Sequence, residues 1–264
     1  MEYNLNNLIA KRSTKEVYND NGKTIKLFVE NYSKADILNE ALNQARVEES
    51  TDLYIPKLLA VTKIENRWAL VSEHIDGTPL DILMAQNPEK EDEYLNIFVD
   101  IQLTILSKHV PLLNPIKDKF RRKLTEAKNI HDNVRYELLQ RLEGMKNHTK
   151  LCHGDFNPSN IIVKEDGTLC IIDWSHATQG NASADAARTF LIFSMQGKTE
   201  LAEKYLDLFA SESGIAKGNI QRWIPIVAAT QMSKEKEEEQ EEKYRQDVAN
   251  IASVLLAWAG GKDG

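Results

Sequence analysis

The chain has 264 residues, 42% of them hydrophobic and 28% charged, with a formal net charge of −7. That length supports one large domain or two lobes with substantial cores, and the acidic balance argues against phosphate-backbone binding, which needs concentrated Lys and Arg. The two cysteines, Cys152 and Cys170, cannot build a disulfide framework or a four-ligand zinc cluster; both sit in apolar runs and read as small buried thiols.

Segments 15–18 and 23–29 are rich in strand formers and flank Asn19-Asp20-Asn21-Gly22, whose Asn-Gly end is a hairpin signal. Ser33 followed by Asp36 resembles an N-terminal capping box. Ile37, Ala41, Leu42 and Ala45 then recur at helical spacing with Glu40 among them, and this helix should end before Thr51. Pro56 starts an extended segment through Val61, and Trp68 to Ser72 reads as another strand. After Gly77 the pattern turns helical, with Leu95, Phe98, Val99, Gln102, Leu103 and Leu106 on one stripe and further helices over 117–129 and 132–145. Within this helical half lies an extended island, Ile161 to Val163, Gly167, then Leu169 to Ile172, which reads as a second hairpin with polar residues at both ends. The tail returns to helix, with Tyr244, Val248, Ile251, Leu255 and Trp258 on one stripe.

The fold class expected is therefore α+β and two-lobed: a small antiparallel-sheet lobe over residues 1–73, a short connector near Glu73 to Gly77, and a larger helical lobe over 74–264. The N-terminus lacks a basic region followed by an apolar stretch, and no uninterrupted apolar segment approaches the roughly 18–20 residues of a membrane span. A soluble cytoplasmic protein without nucleic-acid or membrane partners is expected.

The chemistry concentrates in His153-Gly154-Asp155-Phe156-Asn157-Pro158-Ser159-Asn160 and Ile171-Ile172-Asp173-Trp174. Phosphoryl transfer needs a carboxylate beside the attacking hydroxyl, metal ligands that gather the nucleotide phosphates, and a cation on those phosphates. Asp155 and Asn160 share one polar loop, and Asp173 follows at the end of the next hairpin. Oxygen donors without a His or Cys cluster suit magnesium rather than zinc.

The pattern His-x-Asp-x-x-x-x-Asn, a hairpin, then Asp has the spacing of kinase catalytic and metal-binding loops. As HGDFNPSN with IIDW, it resembles the aminoglycoside phosphotransferase and choline kinase superfamily more than the protein kinases. The resemblance implies a protein-kinase-like fold, ATP and Mg2+ as cofactors, and a small-molecule hydroxyl as phosphate acceptor. It implies Asp155 as catalytic base or hydroxyl-orienting carboxylate, Asn160 and Asp173 as magnesium ligands, and His153 as a brace. Upstream, Lys26 in Lys23-Thr24-Ile25-Lys26 matches the phosphate-binding lysine and Glu40 its ion-pair partner. The connector from Val71 to Gly77, with Glu73 and His74, resembles the segment whose backbone meets adenine, and Asp185 resembles an aspartate supporting the catalytic loop. The turn before Lys26, Arg12-Ser13-Thr14-Lys15-Glu16, contains no glycine; in the family it resembles, Ser or Thr can stand there, which implies Ser13 as the candidate phosphate contact. Trp174-Ser175 replaces the Phe-Gly of protein kinases.

Other readings stand beside these. An isolated Asp-Asn pair is usually a turn feature, Lys26 alone would read as an edge-strand lysine, and Glu40 as an exposed helix residue. His176, close to Asp173, carries a weaker functional reading. The run Glu235 to Glu242 reads as a solvated face or as part of a pocket for a polycation, and Trp174, Trp223 and Trp258 as core or groove wall. The function expected is phosphate transfer to a small molecule, with an aminoglycoside or other amine-bearing alcohol as the first substrate class; the alternative is a nucleotide-binding module without turnover.

Overall fold

The structure is a computed structural model that describes residues 3–127 and 130–231. In chain order it forms β1 (Leu8–Lys11), β2 (Lys15–Asp20), β3 (Lys23–Phe28), α1 (Lys34–Ser50), β4 (Leu58–Ile64), β5 (Arg67–Glu73), β6 (Thr78–Pro79) and α2 (Leu80–Gln86). Then come α3 (Glu91–Leu106), α4 (Ile116–Glu126), α5 (Asp132–Gly144), β7 (Lys150–Cys152), β8 (Ile161–Val163), β9 (Leu169–Ile171) and β10 (Thr178–Gly180). The described chain closes with α6 (Ala182–Met195), α7 (Thr199–Ser213), α8 (Lys217–Gln221) and α9 (Ile224–Gln231). The acidic run at 235–242 and the stripe ending at Trp258 lie outside the described residues. Among the described residues, no helix is long and apolar enough to cross a membrane.

The described residues divide into two compact units, one over 3–94 and Asn157–Ala177, the other over Leu95–Phe156 and 178–231. The first is built on a five-stranded antiparallel sheet of order β1-β2-β3-β5-β4. The expected hairpin joins β2 to β3: Asn21 and Gly22 both take positive φ, 47° and 79°, the geometry of a two-residue turn whose twist matches that of the strands. Strand alternation then sorts the side chains. Ile25 and Leu27 of β3 pack with Ala69 and Val71 of β5 in one cluster, while Phe28 and Leu70 pack with Ile37 and Ala41 of α1 in another. Because side chains alternate along a strand, Lys26 shares the helix-facing side with Phe28.

Helix α1 starts and stops where its residues dictate. The Ser33 hydroxyl accepts the amide of Asp36 as an N-cap, and the helix ends at the extended Thr51. A smaller sheet of order β6-β8-β9 completes this unit. Gly77 lets the connector approach β8 closely, since a Cβ there would lie 2.5 Å from the carbonyl oxygen of Val163.

The second unit is helical around a pair of short strands, β7 and β10. Its core is aromatic: Phe98 of α3 stacks on Phe156 with ring centroids 4.5 Å apart and meets Phe193 of α6 and Tyr205 of α7 at 5.7 and 5.9 Å. Helix α6 is buried along most of its length, from Ala182 to Phe193, which suits a helix that is apolar on nearly every face.

Candidate active site

In the sheet-bearing unit, Lys26 reaches out of β3 toward α1. Its Nζ lies 2.8 Å from Glu40 Oε1 and 3.2 Å from Asp173 Oδ1. Strand β3 runs between β2 and β5, so Lys26 is not an edge-strand residue. Glu40 lies on the buried face of α1 and is 7% exposed, so it is not a solvated helix residue. Burial opposes charge on both Lys26 and Asp173. For Lys26 the carboxylates of Asp173 and Glu40 outweigh that penalty and hold the ammonium above its usual range. For Asp173 the ammonium groups of Lys26 and Lys15 do the same and hold the carboxyl far below its usual range.

Asp173 follows β9 in the left-handed conformation, φ 63° and ψ 63°. A residue with a Cβ pays roughly 1–2 kcal/mol for that geometry, least for Asn and Asp, and such outliers cluster at functional sites. The segment is held by α1 as well, through the Asn43 amide donating to the Ser175 carbonyl at 3.2 Å. Asn160 closes a short turn before β8, and its backbone carbonyl accepts the Ile172 amide at 2.9 Å. That bond ties the loop carrying Asn160 to the residue before Asp173.

Among the described residues no group of three or more His, Cys, Asp and Glu side chains could hold a metal ion. One carboxylate and one amide are oxygen donors, too few for a cage but suited to Mg2+, which takes one or two protein ligands beside water and substrate phosphates. The Asp173 carboxylate already draws cations, the ammonium groups of Lys26 and Lys15 lying 3.2 and 3.5 Å from its two oxygens.

The remaining nucleotide candidates make other contacts. Ser13 is exposed in the β1–β2 turn. The Glu73 amide donates to the Lys57 carbonyl at 2.9 Å and the His74 amide to the Gly22 carbonyl at 2.9 Å, while His74 Nδ1 pairs with Thr24 Oγ1 at 2.9 Å. His176 closes the turn after Asp173, and Trp174 and Trp223 are interior residues at 1% and 2% exposure.

In the helical unit, the chain leaves β7 through His153 to Phe156, and α6 grips three consecutive residues of that loop. Asp185 Oδ1 accepts the Gly154 amide at 2.7 Å, Arg188 Nη2 donates to Asp155 Oδ1 at 2.9 Å, and Thr189 Oγ1 donates to the Phe156 carbonyl at 2.9 Å. Positions 185, 188 and 189 share one helix face. Behind them, Gln102 Nε2 donates to Asp185 Oδ2 at 3.2 Å and to Thr189 Oγ1 at 3.3 Å, and the Tyr205 hydroxyl donates to Gln102 Oε1 at 2.6 Å. Gln102, Thr189 and Tyr205 are fully buried and Asp185 is 1% exposed. Burial pushes the Asp185 carboxyl up from its usual range, against the stabilising amide of Gly154. His153 is fully buried against Phe156, and its Nδ1 faces the Asp155 amide at 3.4 Å, a brace rather than a solvent-facing proton carrier.

Asp185 was legible in the sequence, whereas Lys15, Gln102, Arg188, Thr189 and Tyr205 were not assigned to the site. Their partners lie from 33 to 158 positions away along the chain, beyond the reach of any local pattern.

Residues 26–218 match the model of the Phosphotransferase enzyme family. No curated protein matches the chain. Among solved structures, a thermostable mutant of aminoglycoside phosphotransferase APH(4)-Ia in ternary complex with AMP-PNP and hygromycin B superposes with a TM-score of 0.72 at 15% identity, covering 97% of this chain and 96% of its own. The choline kinase LicA from Streptococcus pneumoniae gives 0.60 at 16% identity over 94% and 95%. ADP-bound aminoglycoside phosphotransferase APH(2'')-Ib gives 0.62 at 14% identity over 97% and 93%. At these identities the likeness establishes the fold, the α+β protein-kinase-like class expected from the sequence.

Proposed function

Because this chain belongs to the phosphotransferase enzyme family, we propose that it transfers the terminal phosphate of ATP to a hydroxyl of a small molecule in the cytoplasm. An aminoglycoside or another amine-bearing alcohol is the first acceptor class. The observation that carries the reading is the ion chain Glu40–Lys26–Asp173, with links of 2.8 and 3.2 Å. A lysine held between a helix glutamate and a metal-binding aspartate is the constellation that kinases need in place for phosphoryl transfer.

In this reading residues 1–73 form the nucleotide-binding lobe and residues 74–264 the catalytic and substrate-binding lobe. Lys26 neutralises the nucleotide phosphates, and Glu40 keeps its ammonium pointed at them. Asn160 and Asp173 hold Mg2+, which supplies positive charge where the transferred phosphoryl group gains negative charge. Asp155 orients the acceptor hydroxyl and accepts its proton. Ser13 meets the phosphates. Glu73 and His74 lie in the segment that meets adenine, through groups other than their own amides, which donate to the carbonyls of Lys57 and Gly22. The AMP-PNP, ADP and hygromycin B complexes of neighbouring aminoglycoside phosphotransferases support a nucleotide and an aminoglycoside-like acceptor as ligands.

The test is magnesium-dependent ADP release against a panel of aminoglycosides, amino alcohols, sugars and hydroxy amino acids, with Asp155→Asn alongside. We expect one class to release ADP and the variant to lose about 10²–10⁴ of that rate while still binding nucleotide. Full activity in the variant would remove Asp155 from its role. The turn before β2 contains no glycine and the first residue of that strand, Lys15, lies on Asp173; these favour one second reading, a nucleotide-binding module without turnover. Tight ATP binding with no ADP formed on any acceptor would select it.

A further inference from the structure

Asp185 and Thr189 of α6 each hold a backbone atom of the loop, the Gly154 amide and the Phe156 carbonyl. Those two bonds fix the path of the chain on either side of Asp155. Arg188 does something different: its guanidinium reaches the Asp155 carboxylate itself, at 2.9 Å. The arginine side chain is 16% exposed and the aspartate 30%, so the cation is the more enclosed partner. Asp185 and Thr189 hold backbone atoms of the loop, whereas Arg188 holds a side-chain carboxylate.

We propose that Arg188 is the positioning residue of the reaction, fixing the Asp155 carboxylate in the orientation from which it meets the acceptor hydroxyl; this rests on the reading of Asp155 given above. The chemistry of the side chain suits the task. A guanidinium stays charged throughout the working pH range and donates in a fixed plane, so it orients the carboxylate through a charge-assisted bond. It has no acceptor and no accessible neutral form, so it cannot take the proton that Asp155 receives. A lysine would supply the charge without the fixed plane. Carboxylate orientation is also where small errors are costly, since a displacement of about 1 Å can lower a rate by about 100-fold.

The experiment measures magnesium-ATP hydrolysis with water as the acceptor, so it needs no identified substrate. The full-length protein is compared with Arg188→Met, Arg188→Lys, Asp155→Asn and the double variant Asp155→Asn/Arg188→Met, and magnesium-ATP affinity is read alongside. We expect Arg188→Met to lower turnover by about 10–100-fold with nucleotide affinity within about twofold, and Arg188→Lys to recover part of the loss. In the Asp155→Asn background, removing Arg188 should cost nothing further, because a residue that acts through another has no effect once that other is gone. Wild-type turnover in Arg188→Met overturns the proposal, and so does an equal loss in the presence and absence of Asp155. If Asp155→Asn itself keeps full turnover, the reading of Asp155 fails first and takes this inference with it. The lysine variant keeps the cation, so a folding defect specific to methionine is separated from loss of positioning.

Discussion

The backbone carbonyl of Asn160 accepts the amide hydrogen of Ile172 at 2.9 Å, so the residue next to Asp173 is held by the residue proposed to share its metal ion. The bond uses main-chain atoms alone, and Asn160→Ala leaves it intact. If Asn160 and Asp173 hold magnesium, Asn160→Ala should weaken magnesium-ADP binding by about tenfold or more, and Asp173→Asn should weaken it further. Calorimetric titration with and without magnesium checks both. Unchanged affinity in both variants would remove the metal assignment.

Stability should depend on Asp173 in a pH-specific way. Its carboxyl is held below the usual range in the folded protein because Lys26 and Lys15 outweigh burial. A depressed group contributes stability above its unfolded value, about 3.9, and loses that contribution as pH falls toward the folded value. Denaturant unfolding should therefore show Asp173→Asn less stable than wild type by a constant margin between about pH 6 and 8, with the margin closing below about pH 4. A margin that stays the same into acid would mean the ion pairs contribute nothing.

Tyr205→Phe tests the buried network behind the loop. The substitution leaves the aromatic packing with Phe98, Phe193 and Phe209 in place and removes the donor to Gln102 Oε1. A buried acceptor left without its partner costs about 1–3 kcal/mol. Urea unfolding should register that loss. An effect below about 0.5 kcal/mol would mean that water or a rearranged Gln102 replaces the hydroxyl.

Both thiols should be unreactive in the folded protein. Burial pushes Cys170 up to about 12, helped by the negative charge of Glu73, and pushes Cys152 well above its ordinary value. Thiolate is the reactive form, so iodoacetamide at pH 8 should modify neither until denaturant is added. Rapid modification of either one under native conditions would show that its surroundings open.

Local chemistry was legible in the sequence, and tertiary pairing only where the family resemblance supplied it, as for Lys26 with Glu40. The Asn21-Gly22 turn, the Ser33 cap and the end of α1 at Thr51 each follow from a few neighbouring residues, and so do the two extended segments between Asn160 and Asp173. The three-residue strands β7 and β10 and the two-residue β6 are too short for periodicity to register. Arg188 appears in the sequence only as one residue of Ala187-Arg188-Thr189, with nothing to mark the carboxylate 33 positions earlier as its partner. Lys15 opens β2 just after a turn whose lack of glycine is visible in the sequence, while the aspartate it meets, 158 positions on, is not.

The two-residue turn at Asn21-Gly22 has a consequence for how this chain can change over generations. It sets the pairing of β2 with β3, in which Val17 faces Lys26, and an insertion of one residue between that turn and Lys26 would rotate the ammonium to the opposite face of the sheet. Glu40 would then face an apolar side chain, while the sheet kept most of its hydrogen bonds. Single-residue insertions and deletions in Lys23-Thr24-Ile25 should thus be far more damaging to activity than substitutions there, and a lineage that drifts in composition must still conserve the count.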